Sequence, residues 1–207
     1  SQKTNFPIEI IIGEDDSSDG TRELCIKYAT ENQDKIRLFL RDRKTSQLYD
    51  DNGKFLARFN GKWNRKAAKG KYIAMCEGDD YWIDPLKLQK QVDFLEANEN
   101  HALCFHNAKI IYEDGVSKSH LFTKLEDRFY TGVELFDNWL IPTASVVFRK
   151  EVLYSARYVE VCESSKILYG DTPLFISASF CGKLFGFSET MSVYRKQPEG
   201  VTNNYLN

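Results

Sequence analysis

The sequence lacks any apolar run long enough to cross a bilayer, and it carries no signal-peptide pattern. Neither an integral membrane protein nor a secreted one is expected from it. Cysteine is sparse: Cys25, Cys76, Cys104, Cys162 and Cys181 include no Cys-x-x-Cys pair and no metal-type cluster. Their odd number and apolar neighbours imply reduced thiols in a reducing compartment, which makes the cytoplasm the expected location. The histidines, His101, His106 and His120, have no spacing that suggests a metal or triad site and are expected to be structural. Charge of neither sign is in excess, with 28 basic against 30 acidic residues and a net charge of −2, so nothing favours a nucleic-acid surface. Internal repeats and low-complexity segments are also missing. What remains is a chain of 207 residues, 42% hydrophobic and 14% aromatic, enough for one domain with a real core.

Short apolar runs alternate with helical patterns through the first half. Strands are expected at Ile8–Gly13, Ile36–Leu40 and Tyr72–Met75, each too short for a helix. A helix is expected over Thr21–Glu31 with Leu24, Tyr28 and Ala29 on its apolar side, and another over Lys54–Ala68, interrupted near Asn60 and Gly61. A polar loop should fill Arg41–Gly53. Asp84 and Pro85 read as the N-cap and first residue of a helix buried through Leu88, Val92 and Leu95. Alternation of this kind implies a mainly parallel sheet with ligands at the carboxyl ends of its strands. In the second half, His101–Glu113 reads as a strand or bent pair, Gly132–Trp139 as a short helix and Ser145–Arg149 as a strand. Glu151–Arg157 and Pro173–Cys181 read as helices, and Leu184–Arg195 as a strand pair.

Two of these strands run directly into acids. Ile8–Gly13 leads to Glu14, Asp15, Asp16 and Asp19, and Tyr72–Met75 leads to Glu77, Asp79 and Asp80. Like charges at the end of a buried strand repel, and burying them costs several kcal/mol unless a cation neutralises them. Hard cations such as Mg²⁺ take oxygen ligands and share them with substrate phosphates. A solvated acidic loop is the bland alternative. An EF-hand is excluded at Asp15, because its twelfth position, which needs a bidentate Glu, falls on Ile26.

The segment Glu14-Asp-Asp-Ser-Ser-Asp-Gly-Thr21 resembles the D-D-x-S-x-D-G-T signature of family 2 glycosyltransferases, which have the GT-A fold. Ala68-Lys-Gly70-Lys-Tyr-Ile-Ala74 with Glu77-Gly-Asp79-Asp80-Tyr-Trp82 resembles that family's A-x-G-x-Y-I segment and D-x-D metal motif. The resemblance implies one GT-A domain over 1–207, with a nucleotide-sugar-binding half at 1–100 and an acceptor-side half at 101–207. It implies an inverting transfer of a hexosyl-type sugar from a UDP-linked donor to a sugar or lipid-linked acceptor in polysaccharide biosynthesis. Peripheral contact with the inner face of the membrane is compatible with it.

By the same resemblance, Asp15 helped by Glu14 contacts the uracil or ribose. Asp79 and Glu77 bind Mg²⁺ or Mn²⁺, with Glu77 replacing the usual Asp, and Asp80 holds the donor sugar or the loop. Asp171 matches the family's late acidic residue, the general base, although Asp before Thr-Pro is also a good helix cap. Val193-Tyr-Arg195-Lys-Gln197-Pro-Glu-Gly200 resembles the Y-R-x-H-x-G-G region near the diphosphate, with Arg195 offsetting phosphate charge and Gln197 where His is common. Trp82 and Trp139 are weaker candidates for stacking on a sugar. The family also opens with a strand–helix unit ahead of the Glu14 segment. That unit is expected to be missing here, leaving an unpaired edge beside Ile8–Gly13. The competing readings are a nucleotidyltransferase-like enzyme, for which no Gly-rich phosphate loop is visible, and an inactive nucleotide-sugar-binding fragment.

Overall fold

The computed structural model describes residues 1–49, 55–163 and 171–197, and the chain divides into two compact units. One comprises Phe6–Ile73 with Lys150–Leu174; the other comprises Ser1–Asn5, Ala74–Arg149 and Phe175–Asn207.

In the first unit the strands Ile10–Asp15 and Ile36–Arg41 pair in parallel, joined by the helix Thr21–Glu31. The register sets Ile10 opposite Ile36 and Asp15 opposite Arg41. The first strand therefore lies later than the expected Ile8–Gly13, and Glu14 and Asp15 are part of the pleat. Among the described residues its other edge has no strand partner, and Ile10 is 43% exposed. The connecting helix buries none of its residues; Leu24 and Tyr28, its expected apolar side, are exposed.

A short helix, Arg43–Ser46, and an antiparallel hairpin of Gln47–Tyr49 with Phe55–Arg58 occupy much of the expected loop and the start of the expected helix. That helix is confined to Asn60–Ala67. Phe55–Arg58 is extended because a neighbouring strand satisfies its backbone, a non-local partner that helical periodicity cannot reveal. Part of the expected loop, 50–54, lies outside the described residues. A 3₁₀ turn at Lys150–Tyr154 and the helix Ala156–Glu163 complete the unit.

The second unit is built on one long pair. His101–Tyr112 and Lys183–Lys196 run parallel from Lys183 opposite His101 to Lys196 opposite Tyr112. The expected strand pair at Leu184–Arg195 is thus a single strand. Register shifts between Phe187 and Thr190 and between Thr190 and Ser192 absorb the polar Ser188 and Glu189, so the chain bends without turning back. Val147–Arg149 adds antiparallel to the other side of His101–Tyr112, and Tyr81–Trp82 adds antiparallel to Ser192–Val193. The strand Arg128–Tyr130 and the capped helix Gly132–Asp137 flank them.

The core lies here. Leu103, Cys104, Phe105, Val147, Phe148 and Met191 are fully buried. The helix Lys87–Ala97 packs on it through Leu88 and Leu95, but the remaining buried positions are Lys87 and Gln91. The helix opens at Lys87 with Leu86 at its N-cap, later than the start expected at Asp84 and Pro85; Asp84 accepts from the Leu86 amide at 2.8 Å in the turn ahead of it. The architecture is α/β as expected, and the sheet is mixed, with its longest pairing parallel.

The contrast in burial gives an expected outcome. Leu103→Ala should destabilise by about 2–5 kcal/mol, because it leaves a cavity in a closed core. Leu24→Ala, on the exposed helix, should stay within about 0.5 kcal/mol. Urea midpoints of the two variants check this.

Candidate functional site

Both acidic segments sit at strand ends, as the sequence suggested, yet their carboxylates are held very differently. In the first unit, Asp16 adopts a left-handed backbone with φ of 61°. The turn this makes lets Glu14 accept hydrogen bonds from the amides of Asp16 at 3.3 Å and Ser17 at 2.7 Å. Arg22 Nε lies 3.0 Å from the same carboxylate. Burial pushes the Glu14 carboxyl up, but the Ser17 bonds and Arg22 outweigh it and hold it below the usual range. Glu14 is thereby committed to shaping its own turn.

Asp15 accepts from Ser46 Oγ on one oxygen and from Gln47 Nε2 at 2.9 Å on the other. Around it stand three arginines that the sequence reading did not single out. Arg43 bonds the carbonyls of Asp15 and Asp16, and Arg22 bonds the Asp16 carboxylate at 2.6 Å and the Arg41 carbonyl at 3.1 Å. Arg41 reaches Asn60 and Asn64, and Asn60 in turn bonds the Gly13 carbonyl at 2.7 Å. Arg41 ends its strand, as the acids end theirs. That symmetry was the available signal.

In the second unit the turn Glu77–Asp80 is closed by a bond from the Asp80 amide to the Glu77 carbonyl at 3.1 Å. Asp80 is buried, while Glu77 and Asp79 are exposed. One Asp80 oxygen accepts from the Arg195 amide at 3.0 Å. The other, Oδ2, is buried with no partner among the described residues. Burial pushes this carboxyl up to about 6; the Arg195 amide opposes the shift and the Asp79 charge adds to it. The Arg195 side chain bonds Glu113 through Nε at 2.8 Å and through Nη2. The structure thus joins Asp79, Asp80 and Arg195 in one unit, and Glu14 and Asp15 in the other.

No group of three or more His, Cys, Asp or Glu side chains converges on a metal position among the described residues. The orphaned Asp80 Oδ2 beside Asp79 nevertheless fits a hard cation that takes its other ligands from phosphate and water. Asp171, in the first unit, precedes the helix Thr172–Cys181 and accepts from the Thr172 amide at 2.9 Å. Trp82 donates from Nε1 to the Ala144 carbonyl at 2.8 Å, whereas Trp139 is 54% exposed. His101 and His106 are buried, and His120 pairs with the Tyr112 hydroxyl at 3.0 Å.

The fold is of the GT-A class: it is similar to that of S. aureus TarS, with a TM-score of 0.58 at 16% identity over 93% of this chain and 53% of that one. An uncharacterized protein of Mycobacterium tuberculosis is 35% identical over 202 residues, covering 97% of this chain and 54% of that protein. An uncharacterized glycosyltransferase of Nostoc sp. is 24% identical over 200 residues, 93% of this chain and 57% of that protein. The chain spans about half the length of the curated relatives it matches. A family model described as glycosyl transferase family 2 matches residues 1–155, and the chain belongs to that family. No helix among the described residues is long and apolar enough to cross a membrane.

The Asp80 shift has a signed consequence. Its folded pKa of about 6 lies above the unfolded value, so the folded state binds the proton more tightly. The penalty is absent below the unfolded pKa, grows as pH rises between the two, and is complete above about 6, at roughly 1–3 kcal/mol. Asp80→Asn should therefore melt higher than the wild type at pH 7.5 without divalent ions, and no higher at pH 4. Thermal melts at the two pH values check this.

Proposed function

We propose that the chain carries the donor-binding and catalytic machinery of an inverting glycosyltransferase that moves a hexosyl-type sugar from a UDP-linked donor to an acceptor hydroxyl. The observation that carries this reading is the buried, half-satisfied Asp80 beside Asp79, fixed by the backbone of Arg195 in a family 2 chain. Asp79 and Asp80 would hold Mg²⁺ or Mn²⁺, with Glu77 adding a longer-reaching carboxylate. A divalent ion bound there supplies charge stabilisation for the departing diphosphate. Arg195 contributes positive charge on the same side.

Asp15 is the donor-side residue of the other turn. Its oxygens already accept from Ser46 and Gln47, but a carboxylate has about four acceptor sites, so a uracil or ribose donor group can still be received. Glu14 supports it by fixing the turn. Asp171 is the general base, taking the proton of the acceptor hydroxyl as that oxygen attacks the anomeric carbon. Inversion needs no second carboxylate as nucleophile. The acceptor is a sugar or a lipid-linked sugar, used in the cytoplasm or at the inner membrane face in polysaccharide assembly.

Two substitutions test separate parts. Asp79→Ala should remove the Mn²⁺ dependence of UDP binding in titration calorimetry while leaving the fold intact; unchanged affinity for UDP with Mn²⁺ would refute the metal role.

Asp171→Asn should leave donor affinity and stability nearly unchanged, since Asn caps a helix as well as Asp does. Turnover should fall by roughly a hundredfold or more, the scale of losing a positioned base. Rates within a few fold of wild type would leave Asp171 as a cap alone. Hydrolysis of UDP-sugars in the presence of Mn²⁺ separates an active enzyme from a binding module.

A further inference from the structure

Lys87 opens the helix Lys87–Ala97 with its side chain turned into the second unit, where it is fully buried. Lysine is almost never buried unless paired, because the ammonium loses its hydration and the long stem can ordinarily reach water. Here Nζ has no hydrogen-bond acceptor among the described residues. Its contact is the face of Trp82, with Nζ 4.1 Å from the ring centroid. Burial holds the amine down to about 7, with the Cys104 and Cys76 thiols near enough to act on it. Burial and the same amine hold the His106 imidazole down to about 3, so His106 stays neutral beside it.

Trp82 is held on two sides. Its Nε1 donates to the Ala144 carbonyl, and its ring carries Lys87. It belongs to the two-residue strand Tyr81–Trp82, which pairs with Ser192 and Val193 and follows Asp80 directly. On the other side of Asp80, Glu77, Gly78 and Asp79 are exposed. The turn thus has two anchors, the Arg195 amide on Asp80 itself and the indole of the residue two positions on. Leu88 and Leu95 on the same helix show what this interface takes when packing is the sole demand. A buried lysine in that place violates the packing rule, and such violations concentrate at functional sites.

We propose that Lys87 is a positioning residue: its buried amine clamps the Trp82 indole from inside and so fixes the Glu77–Asp80 turn that presents Asp79 and Asp80 to a divalent cation. The proposal rests on the cation reading given above. It assigns Lys87 no contact with substrate; it acts through Trp82.

Lys87→Met keeps the stem and removes the charge. Exchange of the Trp82 indole N–H by NMR, Mn²⁺ affinity measured with the metal alone, and the melting temperature are compared in wild type and variant. Losing a desolvated charge for an apolar group is often neutral or stabilising, so the variant should melt at the same temperature or higher. Indole exchange should nevertheless quicken, and Mn²⁺ affinity fall, each by about tenfold, the scale of a desolvated cation–π contact. Exchange and affinity both unchanged would overturn the proposal. So would losses that appear only with a lowered melting temperature, because these report packing. Should wild type bind no Mn²⁺, the cation reading fails by itself; faster indole exchange in the variant would then sustain the clamp, and unchanged exchange would sink it too.

Discussion

The hydrogen bond from the Arg195 amide to Asp80 Oδ1 joins segments 115 residues apart, and the arrangement of the second unit's acidic turn depends on it. The bond exists because the register of two strand pairs places both groups at one end of the sheet. Lys183–Lys196 lies parallel to His101–Tyr112 over the full length of both, which brings Arg195 opposite Ile111 and within reach of Glu113. Tyr81–Trp82 then pairs with Ser192–Val193 and carries Asp80 to the Arg195 amide. A slip of one residue in either pairing would turn the side chains to the opposite face and leave the carboxylate without its donor.

The two acidic turns show how the same residue class takes opposite electrostatic states. Glu14 receives two amides and an arginine, and its carboxyl is held low despite burial. Asp80 receives one amide, has another aspartate as its neighbour, and its carboxyl is pushed up. A carboxylate with all its partners in place has no reason to recruit a cation; one with a buried orphan oxygen does. Whether a carboxylate's partners are complete is a property of its surroundings that position in a motif does not tell.

The helix Lys87–Ala97 carries the same lesson into the interior. Its apolar pattern foretold Leu88, Val92 and Leu95 as buried; Leu88 and Leu95 are, and Val92 is half-buried. Lys87 and Gln91 share that face, and no periodicity would have put them there. Gln91 is explained by its partners, donating to the carbonyls of Cys104 and Ser145. The Lys87 amine has no hydrogen-bond partner among the described residues and lies over the Trp82 ring. The aromatic and lysine therefore have to be considered together, although hydropathy sets them apart.

By itself the sequence determined the α/β class, the strand ends where acids collect, and the family, because these depend on short-range composition: apolar runs, turn residues and a local order of Asp and Glu. It also placed most helices, including Thr21–Glu31. Elements whose state depends on a distant partner were decided by the tertiary structure. Phe55–Arg58 became a strand because Gln47–Tyr49 lies beside it. Lys183–Lys196 stayed one strand because His101–Tyr112 supports it across the irregularities. The arginines around Asp15, the Asp80–Arg195 bond and the burial of Lys87 are of the same kind. Each is a contact between residues remote in the chain, and the charge state of a carboxylate or an amine is set by what surrounds it in space.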